Sequence, residues 1–443
     1  MGNARILESG GTLVLERPWF DTVPLFISVG ERCVALAENW EALQPFAAVD
    51  LSYVQDYLRY QVPQTHRTFC TGVSLIRNGE RWTFDGAAPP RISKQAVPEP
   101  LREDIQELLE QAVVAAGPQA VLHLSSGLDS SLLAMLAHRL FGQARAATFR
   151  TRGAGAEQEL ATTERLAQEK GIELDIYDFR EIDLWAEGRN LLRDGLSYPI
   201  AHPSHLVRYL LDRSIKSAGA STIVTGRGPD ELLGGYASHL PEHEDVAAYA
   251  RRTTCTPEEW IGRLFISPQA SDAAVERDTC VVRGRLPLRN RLELDLSGIF
   301  EAWNIVDAGL ARGLGLRYVN PFLTPDAAAL MFFHRDAEKV PNRRQKEFLR
   351  HRFARFYPDY LLGSPKIGLT IDIREYLQRE SVSSIVRRLY DDSTLGQRIL
   401  RRTAVAQMVD DTLSHRRNFG WQIWSLYLCG VAFDNLFANR LGS

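Results

Sequence analysis

The sequence has few cysteines and no paired ones. Cys33, Cys70, Cys255, Cys280 and Cys429 are scattered through 443 residues without a C-x-x-C spacing. That excludes a disulfide framework and offers no zinc-ligand pattern. No apolar run reaches the length of a membrane span. The opening MGNARILESGG lacks a basic segment followed by an apolar stretch, so no signal peptide is expected. Charge of one sign is also missing: the net charge is −3, which gives no basis for general nucleic-acid binding. There is no internal repeat and no G-x-x-x-x-G-K-[ST] phosphate loop. What is present is an ordinary globular composition, 45% hydrophobic and 24% charged, with length for about two or three domains. A cytoplasmic protein with reduced thiols is the expectation.

The first part of the chain reads as β-rich. TLVLERPW, PLFISVG, RCVALAE and GVSLIRNGERWTF carry the alternation and β-branched content of strands, interrupted by one helical pattern from Leu51 to Tyr60. Gly86 to Pro100 is rich in proline and small residues and reads as a linker. This divides the chain into residues 1–90 and 91–443. Beyond the linker, strand-like AVLHL, ARAATFR, IELDIYDF and STIVT alternate with amphipathic helical patterns. Such alternation predicts an α/β doubly wound parallel sheet. From about Leu286 the pattern is mostly helical, ending in the apolar FGWQIWSLYLCGVAFDNLFANR.

Two segments leave strands through small and acidic residues. In LHLSSGLDSSLLAML, Ser125 to Ser131 would sit at the carboxyl end of a strand and open a helix. Backbone N–H groups and hydroxyls there suit phosphate oxygens. Asp129 would repel a phosphate unless a cation lay between them, which points to Mg²⁺. A helix N-cap reads the same residues without a ligand. In VTGRGPDELLGGY, glycines permit close backbone approach, and Asp230 and Glu231 offer a second carboxylate to the same metal. A glycine-rich turn with a capping Asp is the alternative. The segment SPKIGL holds one lysine, Lys366, and RRQKEFLRHRFAR reads as an exposed basic helix.

Taken together, these motifs resemble the asparagine synthetase family. SSGLDSS is similar to its SGGxDS pyrophosphate loop and GRGPDELLGGY to its GxGxDExxxGY segment. NPFLTPD, KEFLR and SPKIGL follow in the family's order, as PFLD, K-x-x-LR and RPKxGF. The likeness covers roughly Ala120 to Leu377. The same synthetase domain occurs in β-lactam synthetases and lasso peptide macrolactam cyclases. The resemblance implies a sheet of the adenine nucleotide alpha hydrolase-like (PP-loop) type and an enzyme that uses ATP and Mg²⁺ to adenylate a carboxylate, which an amine then captures. Carried over by residue, Ser125, Ser126, Gly127, Asp129 and Ser130 would hold pyrophosphate. Asp129 and Asp230 would ligate Mg²⁺, and Lys366 would stand by the α-phosphate and the acyl centre. Leu124, Thr148, Phe149 and Gly226 would form the adenine and ribose wall.

The departures narrow the expectation. The family's N-terminal glutaminase domain begins with a catalytic cysteine at position 2, where this sequence has Gly2. ILESGGTLVLERPWFDTVPLF and RTFCTGVSLIRNGERW resemble only the middle and close of that domain. Cys33 and Cys70 lie too far into the pattern to substitute, so a truncated, inactive glutaminase-like domain is expected. Where asparagine synthetases carry GLEARVPFLD, Arg317 replaces the glutamate. Arg317 would then pair with a substrate carboxylate or face another element, and Tyr318 and Glu231 are further candidates on the substrate side. His202 and His205 lie in a loop near that side and read as structural or as a general base. The expected activity is amide formation on a directly supplied amine, in specialised-metabolite or peptide biosynthesis of the lasso macrolactam type. A precursor peptide is a candidate substrate, and a protease or leader-binding protein a candidate partner. The alternatives are an ammonia-dependent asparagine synthetase-like or β-lactam synthetase-like small-molecule ligase, and a non-catalytic scaffold.

Overall fold

A computed structural model describes residues 4–9, 11–30, 33–46, 48–86, 88–153, 155–196, 198–199, 202–271, 281–282, 284–363 and 371–441. Its centre is a five-stranded sheet. In spatial order the strands are Glu173–Asp178, Arg145–Arg150, Val121–His123, Thr222–Val224 and Arg317–Val319. All are parallel, with Val121 paired to both Arg145 and Ile223. The chain runs outward from the central strand in one direction, then returns to its other side. The switch point between Val121–His123 and Thr222–Val224 is where ligands bind in such sheets.

Alternate residues of these strands feed two apolar cores, as a parallel sheet covered on both faces requires. Val121, Ala147 and Ile223 face a core shared with Leu191, Leu206, Leu210 and Val306 of the helices Leu184–Asp194, Pro203–Ser217 and Ile299–Leu314. Leu122, Ala146 and Val224 face the other, with Leu109, Leu132, Leu136 and Leu166 from Ile105–Ala116, Leu128–Phe141 and Ala156–Lys170. The helix Ile105–Ala116 starts where the Asp104 side chain accepts the Gln106 and Glu107 amides.

The fifth strand was not among the expected ones. Arg317–Val319 lies within the stretch read as mostly helical, and it forms by continuing the sheet beside Thr222–Val224.

The N-terminal region holds a four-stranded antiparallel sheet (Arg5–Ser9, Thr12–Glu16, Glu80–Asp85, Arg91–Lys94) and a three-stranded one (Val34–Ala37, Leu25–Val29, Val73–Ile76). Leu15, Trp82 and Phe84 of the first and Leu25, Ile27 and Ile76 of the second close a small core. The expected linker is corrected in part. Arg91–Lys94 pairs with Glu80–Asp85, so the sheet runs past residue 90. The helix Leu51–Tyr60 buries Tyr53 and Tyr57 in the same core as Ile223 and Val306, so the N-terminal region packs directly on the sheet domain. The C-terminal stretch forms the helix Gly420–Leu441. Among the described residues, no helix is long and apolar enough to cross a membrane.

Candidate active site

The site forms where the loops after the two switch-point strands meet. After Val121–His123 the chain turns through Ser125–Gly127 into the helix Leu128–Phe141, whose first turn carries Asp129. The loop is tied by its own hydroxyls. Ser130 Oγ accepts from the Ser125 amide at 3.1 Å and contacts Ser125 Oγ at 2.9 Å, and Ser125 Oγ accepts from the Gly127 amide at 3.2 Å. Ser126 is half-buried at the turn. N–H groups of the following helix start have no intrahelical partner and favour an anion. The second loop passes so near that a Cβ on Gly226 would stand 2.9 Å from Ser130 N and 3.1 Å from Asp129 Cβ. Only glycine fits there without a shift.

Asp129 and Asp230 are thereby brought to one place, on either side of Lys346. The Lys346 ammonium stands 2.7 Å from Asp230 and also pairs with Asp129. Lys346 precedes the six-residue helix Glu347–Arg352 in a left-handed conformation, φ 55°. Its side chain is buried. Burial opposes the ammonium charge, but the Asp129 and Asp230 carboxylates outweigh it and hold the Lys346 pKa above the ordinary value. Gly235 gives this side chain room, since a Cβ there would be 2.5 Å from Lys346 Cε. The expected exposed basic face is present in Arg343, Arg344, Arg352 and Arg355, and Lys346 departs from it. KEFLR delivers its lysine to the site, and the signal was that lysine standing just ahead of the apolar helix turn.

A cavity of about 540 Å³ adjoins the loop. Ser125, Thr148, Phe149, Glu159, Leu160 and Trp421 are among the residues that line it. Phe149 stacks on Phe179 with ring centroids 6.2 Å apart. Burial pushes the Glu159 carboxyl up to about 7.

The remaining candidates are placed elsewhere. Leu124 is 2% exposed in the core, so only its backbone stands near the loop. Glu231 is buried and accepts from Tyr236 Oη at 2.7 Å. Burial, and next the Asp230 charge, push the Glu231 carboxyl up to about 7. Arg317 lies at the amino end of its strand, the end opposite the site. It donates to the Ala116 carbonyl at 3.1 Å, satisfying a helix C-terminus; of the two roles expected for it, the structure shows the contact with another element. Tyr318 donates to Asp212 at 2.6 Å beneath the sheet, beside Arg208 and His123. His202 caps the helix Pro203–Ser217 and His205 packs on Trp303 at 4.7 Å. Lys366 lies outside the described residues. Arg227, between Gly226 and Gly228, was missed; its sign in the sequence was a charge between two glycines.

These features define an α/β protein with a phosphate-type cradle and paired carboxylates at a switch point. The asparagine synthase family model matches residues 103–437, and the chain belongs to that family. It is 30% identical over 160 residues to a probable asparagine synthetase (glutamine-hydrolyzing) of Schizosaccharomyces pombe, an alignment covering 31% of this chain and 27% of that protein. The chain thus matches about a quarter of the relative's length. Asparagine synthase is the activity for which the family is named.

Proposed function

We propose that the chain is an ATP- and Mg²⁺-dependent amide synthetase without glutaminase activity, acting on an amine supplied directly. The observation that carries this reading is the meeting of Asp129, Asp230 and Lys346 beside the Ser125–Ser130 cradle. The donor set fits Mg²⁺, which is commonly held by one or two carboxylates together with phosphate oxygens. Asp129 and Asp230 would hold the ion, which supplies charge neutralisation at the phosphates when bound. Lys346 adds a fixed ammonium on the same side. The helix N-terminus and the serine hydroxyls orient the leaving pyrophosphate.

In the reaction, a carboxylate oxygen attacks the α-phosphorus and pyrophosphate departs. An amine nitrogen then attacks the acyl carbon, AMP departs and the nitrogen loses a proton. Lys366 is assigned to the α-phosphate by its place in SPKIGL. The cavity beside Thr148 and Phe149 would take the nucleoside, with aromatic walls that exclude water from the adenylate. Burial pushes the Cys255 thiol up to about 11 and raises that of Cys429 further, so neither is an activated nucleophile. The acceptor amine is assigned to the substrate itself, in specialised-metabolite or peptide biosynthesis, with lasso-type macrolactam formation as the first product class.

The test is pyrophosphate release from ATP and Mg²⁺ with candidate acids and peptides, for the wild type and Asp129→Ala. Substrate-dependent release that disappears in the variant supports the reading. A cyclised peptide lighter by one water would identify macrolactam formation, whereas release with aspartate and ammonia would move the assignment to a small-molecule ligase. No release and no ATP binding would leave only a scaffold.

A further inference from the structure

A continuous line of buried polar contacts joins the N-terminal sheets to the active-site loop. Glu301, on the helix Ile299–Leu314, is fully buried. It pairs with Arg17 Nη1 at 3.0 Å and accepts from the Asn78 backbone and side-chain amides at 2.8 and 2.5 Å. Arg17 follows the strand Thr12–Glu16, and Asn78 lies between Val73–Ile76 and Glu80–Asp85, so both partners belong to the N-terminal region. One turn along the helix, Asn304 donates Nδ2 to the Asp21 carbonyl at 3.1 Å and to Glu301 at 3.4 Å. Its Oδ1 then accepts from Arg227 Nη2 at 3.0 Å. Arg227 also pairs with Asp307, a further turn along.

The chemistry of Asn304 makes this line directional. An amide side chain has nearly the same shape at both ends and opposite hydrogen-bonding sense. The Asp21 carbonyl and the Glu301 carboxylate are both acceptors, so they fix the NH₂ end toward the N-terminal region. That leaves the oxygen facing the guanidinium. A reversed amide would set donor against donor in a fully buried site, an arrangement that costs about 1–3 kcal/mol.

Resting on the amide-synthetase reading, we propose that the N-terminal region is a working part of the synthetase site. Arg17, Asp21 and Asn78 hold Glu301 and Asn304, and these two are positioning residues for Arg227 and thus for the loop from Gly226 to Asp230.

The test is calorimetric binding of Mg²⁺ and α,β-methylene-ATP to the full chain, which needs no known acid substrate. Glu301→Gln keeps the shape but presents an NH₂ that can turn Asn304. The expected result is an affinity about tenfold weaker, within the range of coupling through packed networks. The same change leaves Arg17 buried without its counter-charge and lowers stability. The double variant Arg17→Met/Glu301→Gln removes both charges. It is expected to regain thermal stability while affinity stays weak, which a merely structural role would not produce. Affinity that recovers along with stability, or a folded Glu301→Gln protein with wild-type affinity, overturns the proposal alone. A wild type that binds no Mg²⁺–α,β-methylene-ATP overturns the nucleotide reading as well, before any variant is compared.

Discussion

The ammonium of Lys346 stands 2.7 Å from the carboxylate of Asp230 and pairs at the same time with Asp129 on a separate loop. One cation therefore balances two carboxylates drawn from opposite sides of the switch point. Lys346→Met would leave both without it. Breaking a buried ion pair in this way costs about 3–5 kcal/mol. Millimolar Mg²⁺ should then raise the melting temperature of the variant more than that of the wild type. Equal shifts in thermal-denaturation scans would show that the carboxylates do not form a cation site.

Gly226→Ala places a methyl group against Ser130 N and Asp129 Cβ. The two loops must separate, at a cost of about 1–3 kcal/mol. The expected outcome is a folded protein with at least tenfold weaker binding of Mg²⁺–α,β-methylene-ATP in calorimetry. Unchanged binding would mean that the contact of the loops is not needed for the cradle.

Glu231 has its carboxyl pushed from 4.5 up to about 7. Below 4.5 it is protonated both folded and unfolded. Between about 4.5 and 7 the unfolded chain loses the proton while the folded chain keeps it. The stability owed to this group is therefore complete at low pH and falls as pH rises through that window. Glu231→Gln should remove the fall, gaining about 1–3 kcal/mol relative to the wild type at pH near 8 compared with pH near 5. Urea unfolding at both pH values measures it, and parallel curves would refute the shift.

Arg317→Ala should cost about 1 kcal/mol, since it removes only long hydrogen bonds to Thr222 and to the Ala115 and Ala116 carbonyls from a largely exposed side chain. Nucleotide binding should be unchanged, because Arg317 caps a helix at the end of the sheet away from the site. A loss of binding in calorimetry would return Arg317 to the substrate side.

Much of this architecture could be read along the chain. The alternation of AVLHL, ARAATFR, IELDIYDF and STIVT with helical patterns corresponds to four of the five parallel strands. The small and acidic residues after two of them mark the loops that meet. Those signals are local: strand period, helix period, and glycine or serine where backbone must approach closely. Lys346, by contrast, looked like part of a basic surface. It is buried because its segment folds back over Gly235, a contact between distant parts of the chain that spacing does not encode. Tyr318 was ambiguous, and Arg227 was missed altogether. Each is a polar side chain whose partner lies on a helix remote in sequence, Asp212 for one and Asn304 for the other.

The sequence by itself determined the alternating elements, the two loops and the carboxylates they carry, because periodicity and turn chemistry act between near neighbours. Only the tertiary structure decided that Lys346 joins Asp129 and Asp230, that Arg317 faces away, and that Glu301 ties the N-terminal sheets to Arg227. Those choices depend on which polar groups are brought within reach of one another once the apolar faces have closed, and that is settled by packing across the whole molecule.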